Sequence, residues 1–151
     1  MKIIGCGNPD RGDDQAGVVV SERLRKLGFE ACAHTGDPLA MIERWRSDDD
    51  VIVVDAVVTG APAGTVQVWD GRLPPMAPGA AASSHGFDIG KAIELARILN
   101  RLPASLRIYG IEARQFDRRA SLSPEVESAT ELVIQRISAL AARLKPCPSQ
   151  D

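Results

Sequence analysis

The sequence predicts an α/β fold: a single three-layer α/β/α domain on a small, mostly parallel twisted sheet. Three observations carry this. Short apolar, β-branched stretches alternate with segments of helical periodicity along the whole chain, the pattern of a sheet crossed by helices on both faces. At 151 residues the chain fits one compact domain, long enough to bury a core without disulfides. Hydrophobic residues make up 44% and charged residues 25%, an ordinary globular mixture. The domain is expected over residues 1–145, with 146–151 a frayed tail containing Pro146 and Pro148.

Each element has a local reason. Met1 to Cys6 is short, apolar and followed by glycine, which reads as a buried strand. Ala16 to Leu27 places Val19, Val20, Leu24 and Leu27 at helical spacing and stops at Gly28. Phe29 to Ala33 is a second strand. Pro38 to Arg46 reads as a helix capped by Asp37, with Leu39, Met41, Ile42 and Trp45 available to a core. Val51 to Val54 is a β-branched strand that ends at Asp55. Val57 to Gly64 is a turn, and Thr65 to Trp69 alternates like a strand antiparallel to its neighbour. Leu73 to Ala82, rich in Pro, Gly and Ala, reads as a mobile surface loop. Asp88 to Leu99 is a helix, Leu106 to Ile111 a strand, and Ser123-Pro124 opens a last helix reaching about Leu144.

Charge and cysteine content narrow the function. The formal net charge is −2, which gives no reason to expect a nucleic acid or an anionic membrane as partner. No apolar window approaches the roughly 20 residues that span a bilayer, and no signal peptide is visible. Cys6, Cys32 and Cys147 lack metal-type spacing and suit a reducing cytoplasm. A monomer is expected.

Chemistry gathers at predicted strand ends. Ligands of open α/β sheets bind at the carboxyl ends of the strands. Asp13 and Asp14 follow the first strand, Asp55 follows the third, and His85 precedes the helix at Asp88. Two carboxylates and an imidazole make a partial shell for a borderline cation such as Zn²⁺ or Ni²⁺. Each also has a plainer reading: Asp13 as a helix cap, Asp14 as a partner of the helix dipole, Asp55 in a turn, His85 as a polar loop residue. Gly5, Gly7 and Gly12 follow Gly-x-Gly-x-x-x-x-Gly, not the dinucleotide fingerprint, and Pro9 removes an N–H that a phosphate would use. Cys6 with His85 and Asp55 would make a thiol peptidase set, against the alternative that Cys6 fills the end of a buried strand.

In order along the chain, four blocks assemble: Gly7-Asn8-Pro9-Asp10-Arg11-Gly12-Asp13-Asp14; Val53-Val54-Asp55-Ala56 followed by Pro62-Ala63-Gly64; Ser83-Ser84-His85-Gly86; and Tyr109-Gly110-Ile111-Glu112 with Leu122-Ser123-Pro124-Glu125-Val126. With these the chain resembles the hydrogenase maturation proteases, endopeptidases that trim the C-terminus of the large subunit of nickel–iron hydrogenases. The resemblance implies metal-binding positions at Asp14, Asp55 and His85. From that grouping the expected catalyst is a carboxylate, Asp14 or Asp55, or a metal-activated water, with Asp13 capping the helix to hold Asp14 and Asn8 also in support. It implies a hydrogenase large-subunit precursor as partner, nickel supplied by that substrate, and no organic cofactor. Gln15 stands where the family usually has glycine, and Ala113 where it commonly has proline. Two other readings use the same residues. One is a module that binds the same client in response to metal without cutting it. The other is a hydrolase like peptidyl-tRNA hydrolases, whose opening Gly5-Cys6-Gly7-Asn8-Pro9 resembles, although the glycine expected after Pro9 is absent.

Overall fold

The computed structural model describes residues 1–71 and 89–144. In chain order it contains β1 (Lys2–Cys6), a 3₁₀ turn (Gly12–Gln15), α1 (Ala16–Lys26), β2 (Ala31–His34), α2 (Pro38–Ile42), β3 (Asp50–Val57), β4 (Val66–Asp70), α3 (Ile89–Ile98), β5 (Ser105–Glu112) and α4 (Pro124–Leu144). The five strands form one sheet in the order β2-β1-β3-β5-β4. All neighbours are parallel except β4, which runs antiparallel to β5 on the edge. The expected antiparallel strand is thus present, but it pairs with β5 and not with the strand before it.

Alternation along the strands divides the core in two. Ile52, Val54 and Ala56 of β3 pack with Ile3, Tyr109 and Ile111 under Val20 and Leu24 of α1 and Val126, Val133 and Ile137 of α4. Val51 and Val53 face the other way, with Ile4, Cys6 and Ile108, against Met41, Ile42 and Trp45 near α2 and Ile89, Ala92 and Ala96 of α3. Helices therefore cover both faces, as the sequence predicts.

Several boundaries differ, each for a physical reason. β3 continues past Asp55 to Val57, because every residue from Asp50 onward is paired with β5 and a polar side chain does not break a backbone ladder. β2 starts later than expected, at Ala31, since Phe29 is taken up in the turn that closes α1 through its N–H to Leu24 O at 3.1 Å. α2 is only five residues long, yet its cap is as expected: Asp37 Oδ1 accepts from Ala40 N at 3.0 Å. Leu27, Leu39 and Leu99, expected in core faces, are exposed at helix starts and ends. The expected loop Leu73–Ala82, His85, Cys147 and the tail lie outside the described residues.

The strand order creates the position that matters. From β1 the chain moves to β2 on one side and then to β3 on the other. Between β1 and β3 the connections diverge, leaving a crevice at the carboxyl ends of these two strands.

Candidate active site

The loop after β1 crosses this crevice in a conformation fixed by its glycines and by a distant segment. Gly7 has φ +138°, and a Cβ there would lie 1.8 Å from Asp14 O. Gly17, in the first turn of α1, lets that helix approach the strands: its Cβ would meet Val54 O at 2.2 Å and Cys6 O at 2.4 Å. The pair of contacts brings the start of α1 directly onto the ends of β1 and β3.

Asp14 is 2% exposed, and its Oδ2 accepts the backbone N–H of Asn8 at 3.2 Å. The Asn8 side chain accepts from Asp10 N at 2.9 Å, closing an Asx turn that aims the Asn8 amide. Asn8 thus supports Asp14 through its backbone and shapes the loop through its side chain. Asp14 lines a cavity of about 440 Å³ together with Gly7, Asn8, Pro9, Asp10, His34 and Thr35.

Asp13 does not cap a helix, which corrects the expectation for it. The residue before α1 is Gln15, and neither it nor Arg11, ahead of the 3₁₀ turn, makes a side-chain cap. The Asp13 carboxylate is saturated from another part of the chain. Its Oδ2 accepts from Arg114 N at 3.1 Å, Gln115 N at 3.0 Å and Ser123 Oγ at 2.9 Å, and its Oδ1 accepts from Ser123 N at 2.7 Å. A fully buried carboxylate is costly unless its lone pairs are satisfied, and here four donors satisfy them. Around it, Asp13 N donates to Gln115 O at 2.7 Å and Gln15 Nε2 to Ala120 O at 3.1 Å. Segment 113–123 is therefore the bed on which the β1 loop lies.

Asp55 sits within β3, opposite Gly110 of β5, and is 3% exposed. By strand alternation it shares the face of Val53, Cys6 and α3, and its negative charge helps raise the Cys6 thiol. Burial is the larger cause of that shift, and the thiol is driven well above its ordinary range. Cys6 is fully buried against Met41, with Sγ 3.8 Å from its Sδ. A thiol held neutral and enclosed is a core residue and not a nucleophile, so the Cys6 peptidase reading fails on chemistry. His85 is outside the described residues; α3, four positions further on, packs on the face that Asp55 shares.

The sequence reading missed His34. At the carboxyl end of β2 it is 2% exposed and lines the Asp14 cavity. Its Nδ1 accepts from Arg44 Nε at 3.1 Å, so Nε2 carries the proton and donates to Asp37 O at 3.1 Å. Burial first, and the Arg44 charge beside it, lower its pKa. A neutral imidazole with both nitrogens engaged is a fixed wall and a poor metal ligand. The only signal in the sequence was one of two histidines after a weak strand. Glu112 was quoted only as part of a motif: it is 2% exposed and accepts from Thr59 N, Thr59 Oγ1 and Gly60 N at 2.8, 2.7 and 3.0 Å, pinning the turn after β3.

Among the described residues no group of three His, Cys, Asp or Glu side chains is placed to hold a metal ion.

Comparison with known proteins agrees with this architecture. The profile of the hydrogenase maturation protease family (HycI) matches residues 36–140. The hydrogenase expression/formation protein HupD of Thiocapsa roseopersicina is 24% identical over 148 residues, covering 88% of this chain and 67% of that protein. The [NiFe] hydrogenase maturation protease HybD from Thermococcus kodakarensis superposes with a TM-score of 0.73 at 22% identity, covering 93% of this chain and 99% of its own. The hydrogenase maturating endopeptidase HybD from E. coli gives 0.73 at 21% identity, covering 95% and 94%. Those two structures establish the fold; the family profile, spanning more than half of the chain, establishes the kinship. The chain belongs to the hydrogenase maturation proteases, hydrolases that cut a peptide bond in the maturation of hydrogenase.

Proposed function

We propose that this endopeptidase removes the C-terminal extension of a nickel–iron hydrogenase large-subunit precursor in the cytoplasm, once nickel is in place. The observation that carries the site is the pairing of two buried carboxylates, Asp14 and Asp55, with the two strands that flank the topological switch point. The nickel belongs to the substrate. Asp14, Asp55 and His85 are the ligands offered to it, two carboxylates and an imidazole that suit a borderline cation.

In this reading, docking of the metal centre places the scissile peptide against Asp14 and Asp55. One carboxylate accepts a proton as water attacks the scissile carbonyl carbon. The C–N bond then breaks, and the proton passes to the leaving amine. Free, unbridged Cys6 and Cys32 suit a reducing compartment.

The test uses nickel-loaded and nickel-free precursor with the purified protein. Cleavage of the loaded form alone is expected, and equal cleavage of both would sink the nickel dependence. Asp55→Asn and His85→Ala are expected to lower the rate by about 10²–10⁴, the usual contribution of a positioned acid or base. Full activity in either removes that residue from the site. Tight binding without cleavage by the native protein would instead support a client-binding module.

A further inference from the structure

Next to the Asp14 cavity lies a second one of about 540 Å³, lined by Asn8, Asp10, Arg11, Arg118 and Arg119. Asn8 and Asp10 line both, so the two share a wall. Backbone contacts build this second cavity. Arg11 and Arg118 form an antiparallel bridge, Arg119 N donates to Asp10 O at 2.7 Å, and Arg11 Nε donates to Phe116 O at 3.2 Å. Arg119 adopts φ +59°, an uncommon conformation for a residue with a side chain.

Arg118 and Arg119 against the single carboxylate of Asp10 give the cavity a cationic rim. Arg118 and Arg119 are exposed, and among the described residues no ion pair engages either. Arginine forks suit carboxylates, which they bind through paired, charge-assisted hydrogen bonds. Asp14, across the shared wall, repels the same group. A peptide carrying carboxylate on one side of its scissile bond therefore meets opposite fields in the two cavities.

We infer that Arg118 and Arg119, with Arg11 beside them, form a carboxylate-binding subsite for the C-terminal side of the client peptide, which fixes the peptide's direction across the Asp14 loop. The inference rests on the endopeptidase reading. Its ligand is either the terminal α-carboxylate of the client or an acidic side chain near it.

The probe is a rhodamine-labelled peptide with the C-terminal sequence of the cognate precursor, followed by fluorescence anisotropy. Wild-type protein is expected to bind the free acid with a salt-sensitive affinity. R118Q/R119Q is expected to weaken binding about tenfold, the effect of losing one charge-assisted contact, and to flatten the salt dependence. R118K/R119K keeps the charge and is expected to recover most of it, and unchanged thermal melting shows that the variants are folded. An amidated C-terminus that reproduces the loss identifies the α-carboxylate; amides at the acidic side chains that reproduce it identify those. No binding by wild type, or equal affinity in wild type and R118Q/R119Q, overturns the subsite. If wild type binds through these arginines but leaves the nickel-loaded precursor uncut, the endopeptidase reading falls and the subsite stands.

Discussion

At the residue scale, buried acids in one short loop have unlike tasks. Asp14 faces a cavity, while Asp13 spends its charge on four donors from segment 114–123. Removing the latter carboxylate strands buried N–H groups, at about 1–3 kcal/mol for each one left unsatisfied. Asp13→Ala is therefore expected to lower stability by about 3 kcal/mol or more in urea denaturation. Asp14→Asn, which keeps an acceptor for Asn8 N, is expected to cost less stability than Asp13→Ala while losing cleavage. Among the described residues, His34 contributes a pH dependence near neutrality. Its folded pKa is lowered, so the unfolded chain binds the proton more readily and acid favours unfolding. This stability is fully present above the unfolded value of about 6.5 and declines as pH falls below it. Melting temperatures between pH 7 and pH 5 check this: His34→Gln is expected to flatten the profile. Asp14 and Asp55 stand out in the sequence as candidates because carboxylates beside apolar strands are conspicuous, and both prove buried. It hid the job of Asp13, since its partners are about a hundred positions away, and it hid His34, whose burial depends on tertiary packing.

At the scale of elements, periodicity identified nearly every helix and strand but misjudged their ends. A ladder ends where its partner ends, and β3 runs on through Asp55 because β5 accompanies it to Glu112. Ala113 extends that register: its N–H donates to Val57 O at 2.9 Å, a bond that a proline at this position would lack. Edge strand β4 pairs with a strand later in the chain, a choice no local pattern reveals. The approach of α1 to the sheet depends on Gly17. Gly17→Val would push side-chain atoms into Val54 O and Cys6 O, and it is expected to prevent folding or to cost several kcal/mol, as judged by soluble yield and denaturant midpoint.

At the scale of the molecule, the candidate site and the apolar core occupy different places. Both carboxylates belong to the carboxyl ends of the strands, whereas Val133 and Ile137 of α4 and Leu24 of α1 supply buried apolar mass behind one face. Ile137→Ala is expected to cost about 2–5 kcal/mol through the cavity it leaves, with little change in cleavage per folded molecule. A denaturation curve with a single-turnover assay separates the two. The candidate carboxylates lie beside the switch point between β1 and β3, where the alternation of strands and helices in the sequence led them to be sought, because the switch-point rule depends on topology alone.

The bonds of Asp13 to Ser123 span 110 positions and set a timetable for synthesis. When β1 and its loop leave the ribosome, the segment that holds the loop has not been made. Nearly the whole domain must emerge before Asp13 finds its donors and the neighbouring acid is fixed in place. A nascent chain stalled before residue 114 contains Asp14 and Asp55, and β5 that flanks Asp55, yet lacks the donors that hold the Asp13–Asp14 loop. The loop after β1 thus takes its described form only once segment 113–123 has been made, and deletion of that segment is expected to loosen a loop encoded far earlier in the chain.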